Sequence, residues 1–198
     1  MPQPSNSHPS LRPIIRPYVE ADADALFRVV RQSLPSLSPW LPWAKAEYCR
    51  TDSENWIAHC LRTREACGEY HFGVFAADTD ELIGGVGLNH LVHEDATANL
   101  GYWTATHLHG CGIATQASLQ AARFGFDTLK LQRIAIQVLP ANRASMRVAV
   151  KLGAVCEGVA RHGVRLFGQP QDAMVFSLLP GDLITIQSGA GDHSSTGV

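Results

Sequence analysis

An α/β fold, a mixed sheet carrying helices on its faces, is predicted by three features of this 198-residue sequence. First, the apolar, β-rich runs 70–76 and 82–88 flank Asp78-Thr79-Asp80, which is a hairpin pattern. Second, the runs 99–104 and 133–139 flank an Ala- and Leu-rich stretch, 112–129, with helical spacing. That is a strand-helix-strand unit. A chain holding both kinds of connection needs a mixed sheet. Third, the length suits one domain with a substantial core.

Each element has its own signal. Residues 11–16 form a first strand. Residues 22–31 are helical through Ala25, Leu26, Val29 and Val30. Pro35, Pro39 and Pro42 then break the chain into a loop carrying Trp40 and Trp43. Residues 51–64 form a helix, with Thr51 as N-cap and Glu54 at the third position. Its buried stripe is Trp56, Ile57, Cys60 and Leu61. Residues 144–152 are helical and end at Gly153, suited to a left-handed cap. Runs 155–161 and 174–179 complete six to seven strands and about four helices. The folded domain spans 11–183. Residues 1–10 and 184–198 are polar, poor in core formers, and expected to be flexible.

Composition excludes several classes. The net charge of -2 offers no basic face for nucleic acid. The polar, Pro-rich N-terminus lacks the basic-then-apolar order of a signal peptide. No apolar run is long enough for a membrane. Five scattered cysteines without a Cys-x-x-Cys pair argue for a reducing compartment, hence a cytoplasmic protein. His90-x-x-His93 and His107-x-His109 lack supporting cysteine or carboxylate spacing, so no metal is expected.

The stretch richest in chemistry is His109-Gly110-Cys111-Gly112-Ile113-Ala114-Thr115. Here a helix begins just after a strand. A helix N-terminus offers unpaired N–H groups and partial positive charge, a ready anion site. Glycines remove the β-carbons that would keep an anion away. The turn is neither a Walker A loop nor a dinucleotide fingerprint, since no Gly-Lys-Ser/Thr and no third glycine follow. Packing alone also produces such turns.

The neighbouring motifs resemble the GNAT superfamily, within it the RimJ/RimL-like protein N-terminal acetyltransferases. Gly101-Tyr102-Trp103 matches the family strand before the turn. His109-Gly110-Cys111-Gly112-Ile113-Ala114 matches its Gln/Arg-x-x-Gly-x-Gly/Ala, with histidine first. Asn142-Arg143-Ala144-Ser145 matches Asn-x-x-Ser, and Lys151-Leu152-Gly153-Ala154 with Glu157-Gly158 resembles Lys-Leu-Gly-Phe with Glu-Gly. Trp40-Leu41-Pro42-Trp43 resembles a Trp-Leu-Pro-Trp loop. The likeness runs from about residue 11 to 179.

The resemblance implies a GNAT fold with a mostly antiparallel sheet. It implies acetyl-CoA as co-substrate and direct attack by an amine. The acceptor is expected to be a protein N-terminus, with a small-molecule amine or an inactive CoA-binding sensor as alternatives. Homodimers are common among such relatives. The thioester would be polarised by backbone N–H at Trp103 or Thr104. The pyrophosphate would lie on His109 to Thr115, and Asn142 would touch the cofactor. Ser145 is the candidate acid for the thiolate, unless it or Asn142 only caps the helix. Trp40, Trp43 and His90 are candidate acceptor-site residues, although the tryptophans also suit the core edge. Cys111 contributes its backbone N–H. Relatives place a glutamate base where this chain has Val164 or Asn99. His162, two residues from Val164, would share its face in a regular strand and is the candidate base; a solvated loop histidine is the other reading.

Overall fold

The computed structural model describes residues 11–183; the expected flexible segments, 1–10 and 184–198, lie outside the described residues. In chain order the elements are β1 (Pro13–Pro17), α1 (Ala23–Leu37), α2 (Arg50–Glu65), β2 (Tyr70–Ala76), β3 (Leu82–Val92) and β4 (Thr97–Thr104). There follow α3 (Ile113–Asp127), β5 (Arg133–Val138), α4 (Arg143–Lys151), β6 (Val155–Leu166) and β7 (Gln169–Leu178). Two short 3₁₀ turns, Glu20–Asp22 and Thr106–Leu108, precede α1 and α3.

The strands form one seven-stranded sheet in the order β1-β2-β3-β4-β5-β7-β6. All pairs are antiparallel except β4 with β5. A strand-helix-strand connection through α3 makes that pair parallel, as its length requires. Among the described residues no helix is long and apolar enough to cross a membrane.

Both faces of the β2–β4 region are covered, so β2 and β3 read as continuous apolar runs rather than alternating ones. On one face Phe72, Val74, Val86, Leu88 and Leu100 pack with Ala117, Ala121 and Ala122 of α3. On the other, Tyr18 and Phe75 pack with Leu26 and Val30 of α1 and Ile57 of α2. Asp22 starts α1: its carboxylate accepts from Arg16 at 2.8 and 3.0 Å and from the Val19 N–H at 2.9 Å.

Several local expectations change. Helix α1 runs through Pro35 to Leu37 instead of stopping near residue 31. Pro35 gives up one N–H, while buried Leu37 anchors the last turn against the core. Helix α2 begins after Cys49, not Thr51: Asp52 Oδ2 accepts from the Cys49 N–H at 2.8 Å. Its buried positions are Ser53, Ile57 and Cys60; Trp56 is 37% exposed and turns elsewhere. Strands β6 and β7 form a longer hairpin than expected, turning at 167–168. All five cysteines are free thiols.

The feature that positions the site is the divergence of β4 from β5. They pair only at Thr97–Arg133, Ala98–Ile134 and Asn99–Ala135. Beyond Asn99 the β5-facing edge of β4 has no strand partner among the described residues.

Candidate active site

A cleft of about 600 Å³ opens where β4 and β5 part. One wall is Gly101 to Thr104 and the other is Ile136 to Leu139. The turn before α3, together with Asn142 and Ser145 of α4, closes the end. An unpaired strand edge presents main-chain donors and acceptors to whatever enters.

The helix start is built for an anion. Gly110 and Gly112 hold φ of 84° and 80°, the left-handed region that glycine enters without strain. Gly112 occupies the N-cap position, with no side-chain cap and no acidic residue in the first turn of α3. The N–H groups of that turn therefore keep their bonding capacity and the positive end of the helix dipole. His109 lines the cleft with its Nε2 3.3 Å from Thr104 O, so its ring is tied to the strand end. Cys111 is exposed at the turn, while Gly110, Gly112, Ile113, Ala114 and Thr115 line the cleft.

Asn142 takes the capping role, and Ser145 lies beside it on the cleft wall. Asn142 Oδ1 accepts from the Ser145 N–H at 3.0 Å and caps α4. Ser145 Oγ lies 2.9 Å from the Tyr102 hydroxyl, which also donates to Ser145 O at 3.0 Å. A phenol donating to that carbonyl accepts from Oγ. Burial pushes the Tyr102 hydroxyl up to about 12, against the Ser145 hydrogen bond, so it stays protonated. In the sequence Tyr102 stands out only as part of Gly101-Tyr102-Trp103. Asn142→Ala should lower unfolding stability by about 1 kcal/mol through loss of this cap, measured as a shifted urea midpoint.

A second cavity, about 580 Å³, lies across β4 beneath α1 and α2. It shares Gly101, Tyr102 and Trp103 with the first. Its floor follows from register. His71 faces Gly87 and Gly87 faces Gly101; Gly73 faces Gly85 and Gly85 faces Trp103. Directly opposed residues place their side chains on the same face. Glycine therefore occupies positions 73, 85, 87 and 101 on one face, and Gly85, Gly87 and Gly101 line the cavity floor. A β-carbon at Gly85 would stand 2.5 Å from Trp103 Nε1, and one at Gly87 2.3 Å from His71 Nδ1. Glycines alternating within strands signal such close approach, and this signal was present in the sequence.

The two loop tryptophans part company. Trp40 lines the first cleft and Trp43 the second. Trp43 meets Trp103 edge-on, with centroids 5.9 Å apart. Two expected residues are not brought to either cavity. His90 is exposed at an irregularity of β3, with φ of 51°. His162 is exposed, with φ of 52°, inside the register shift between Ala160 and Val164; its N–H donates to Asp172 at 2.9 Å. Val164 lines the cleft and His162 does not, because the bulge breaks the two-residue period that would put them on one face. Asn99, the other expected base position, donates to Asn89 at 3.0 Å; its Oδ1 is buried without a partner among the described residues.

The structure instead gathers His59, Glu69 and His71, with ligand-type atoms within 4.8 Å of one another. Glu69 Oε2 lies 2.9 Å from His71 Nε2 and 3.3 Å from His59 Nε2, so hydrogen bonding satisfies the set. The histidine pairs expected to be poor metal candidates, His90 with His93 and His107 with His109, form no such group among the described residues.

Known proteins share this fold. The family description "Acetyltransferase (GNAT) domain" matches residues 12–155. "Probable N-acetyltransferase YjcK" of Bacillus subtilis (strain 168) is 41% identical over 115 residues, 58% of this chain and 64% of that protein. "Putative ribosomal N-acetyltransferase YdaF" of the same strain is 29% identical over 175 residues, 88% of this chain and 92% of that one. A solved "putative ribosomal-protein-serine acetyltransferase" from Vibrio cholerae superposes with a TM-score of 0.76 at 30% identity, covering 85% and 94% of the two chains. Two further structures of this fold hold acetyl-CoA or coenzyme A.

Proposed function

The chain belongs to the GNAT acetyltransferase family, and from that premise we propose that it moves the acetyl group of acetyl-CoA onto the α-amine of a protein N-terminus. The observation carrying this reading is the pair of cavities meeting at Gly101 to Trp103. The anion-ready helix end and the unpaired β4 edge suit the diphosphate and the amide-rich arm of the cofactor. The glycine-floored cavity suits the acceptor. An amine entering there meets the thioester across one strand, and holding both reactants so supplies several kcal/mol of the barrier.

Charge favours a single amine over a polyamine. Asp52 is the only carboxylate lining the acceptor cavity among the described residues. The Cys49 N–H donates to it, and Lys45 Nζ lies 3.8 Å away. A polycation would need several free carboxylates. An α-amine, with a pKa of about 7.7–8.0, also keeps more neutral form at pH 7 than a lysine at about 10.4. Relatives named for ribosomal substrates point the same way.

The test is thiol release from acetyl-CoA with N-terminal peptides, polyamines and aminoglycosides. Peptides blocked at the N-terminus should be silent and free ones active. Preference for a polyamine or aminoglycoside would overturn the acceptor class. Binding of coenzyme A with no release on any amine would mark a non-catalytic module.

We assign the protonation of the departing sulfur to Ser145 Oγ, which lines the cleft beside the Tyr102 hydroxyl. Ser145→Ala should lower kcat by about 10²-fold, the lower range for one acid–base group, with coenzyme A affinity retained. An unchanged kcat at saturating acetyl-CoA would remove that role.

A further inference from the structure

We propose that His71, held by Glu69 and seconded by His59, takes the proton from the acceptor amine. This rests on the acetyl-transfer reading and supplies the base that Val164, Asn99 and His162 do not.

Position comes first. His71, Gly87 and Gly101 are direct neighbours across β2, β3 and β4. Strands lie about 4.8 Å apart, so the Gly101 backbone is about 10 Å from that of His71. The imidazole crosses half of this distance by lying over Gly87, with Nδ1 2.3 Å from where a β-carbon would sit. The remaining gap, floored by glycine, suits an amine or an amine with one water. His71 and Gly101 both line the acceptor cavity.

Orientation comes second. Glu69 Oε2 accepts from His71 Nε2 at 2.9 Å. A carboxylate bound at Nε2 selects the tautomer protonated there and leaves Nδ1 with its lone pair. Trp56 fixes both imidazoles: its ring lies 4.7 Å from that of His71 and stacks 5.4 Å from that of His59. This gives the half-exposed Trp56 its task.

Protonation agrees. Burial lowers the His71 pKa, against the opposing pull of Glu69, so the ring is neutral at pH 7. Burial would raise the Glu69 carboxyl, but the hydrogen bonds and charges of His71 and His59 outweigh it and hold it low. The other titratable groups around this cavity are Tyr18, Lys45, Tyr48, Asp52 and His59. Tyr18 and Tyr48 are shifted upward by burial and do not titrate near neutrality.

The step balances. An ammonium acceptor loses two protons on becoming an amide. One passes to His71 Nδ1 and on to solvent. As the new N–C bond forms and the C–S bond breaks, the other ends on sulfur by way of Ser145 Oγ.

Two measurements test this. First, kcat/KM is followed against pH for wild type, His71→Gln, Glu69→Gln and His59→Gln with an N-terminal peptide. His71→Gln should lose about 100-fold at pH 7. Its acidic limb should move up to the acceptor's own pKa, about 7.7–8.0 for an α-amine, because only amine that is already neutral then reacts. Glu69→Gln should shift the limb part of the way, and coenzyme A affinity should hold in all three. A His71→Gln enzyme that keeps the wild-type limb overturns the proposal. Second, ¹⁵N NMR of the imidazole should show the Nε2–H tautomer in wild type, altered in Glu69→Gln. An Nδ1–H tautomer or an imidazolium at pH 7 also overturns it. The NMR needs no turnover. A wild-type protein that releases no thiol would sink the acetyl-transfer reading, while the tautomer still judges the dyad.

Discussion

Gly112→Asp should weaken coenzyme A binding by at least about 100-fold, some 2.7 kcal/mol, while the melting temperature falls by only a few degrees. The two readouts separate because of where Gly112 sits. Its φ of 80° is one that aspartate tolerates better than most residues, at a cost of about 1–2 kcal/mol. A β-carbon there meets only Gln116 Nε2, at 3.7 Å, an ordinary contact. A carboxylate at this N-terminus recovers roughly 0.3–1 kcal/mol from the helix dipole. The same carboxylate competes for the N–H groups that would hold the diphosphate and repels it. Isothermal titration with coenzyme A, alongside a thermal melt, checks both parts. Undiminished affinity would remove this helix end from the cofactor site.

Gly101→Leu should have the opposite profile: coenzyme A still binds, and acetyl transfer falls by at least about 100-fold through lost attack geometry. A β-carbon at Gly101 has only Asn89 Nδ2 within 4 Å, at 3.9 Å. Nothing else blocks a side chain, so the sheet should accept one. Leucine would stand on the same face as His71 and fill the gap before the β4 backbone. A titration with coenzyme A and a thiol-release assay at saturating acetyl-CoA check this. Full activity would place the acceptor elsewhere.

The legible parts share a local cause. The hairpin, the helix spacing of α3 and the glycine turn before it are written in neighbouring residues. So is the cap: Asn142 and Ser145 lie three apart, the reach of an N-cap bond. Sequence and structure part where regular periodicity meets irregular backbone. Strand alternation puts His162 on the Val164 face, and a register shift cancels that alternation. Helical spacing puts Trp56 in a buried stripe, but it turns to the histidines. Pro35 predicts a loop, but core packing of Leu37 carries α1 past it.

The fold class, the family and the glycine turn at His109 to Ala114 are legible in the chain alone, since each depends on short-range pattern and motif order. The cavity we propose for the acceptor is a product of tertiary packing. His59 comes from α2, Glu69 from the approach to β2 and His71 from β2 itself. Gly87 and Gly101 come from two further strands, and β4 leaves β5 after Asn99. Cross-strand register brings these together, and it depends on hydrogen bonds between segments far apart in the chain, so no local pattern could pair His71 with Gly101.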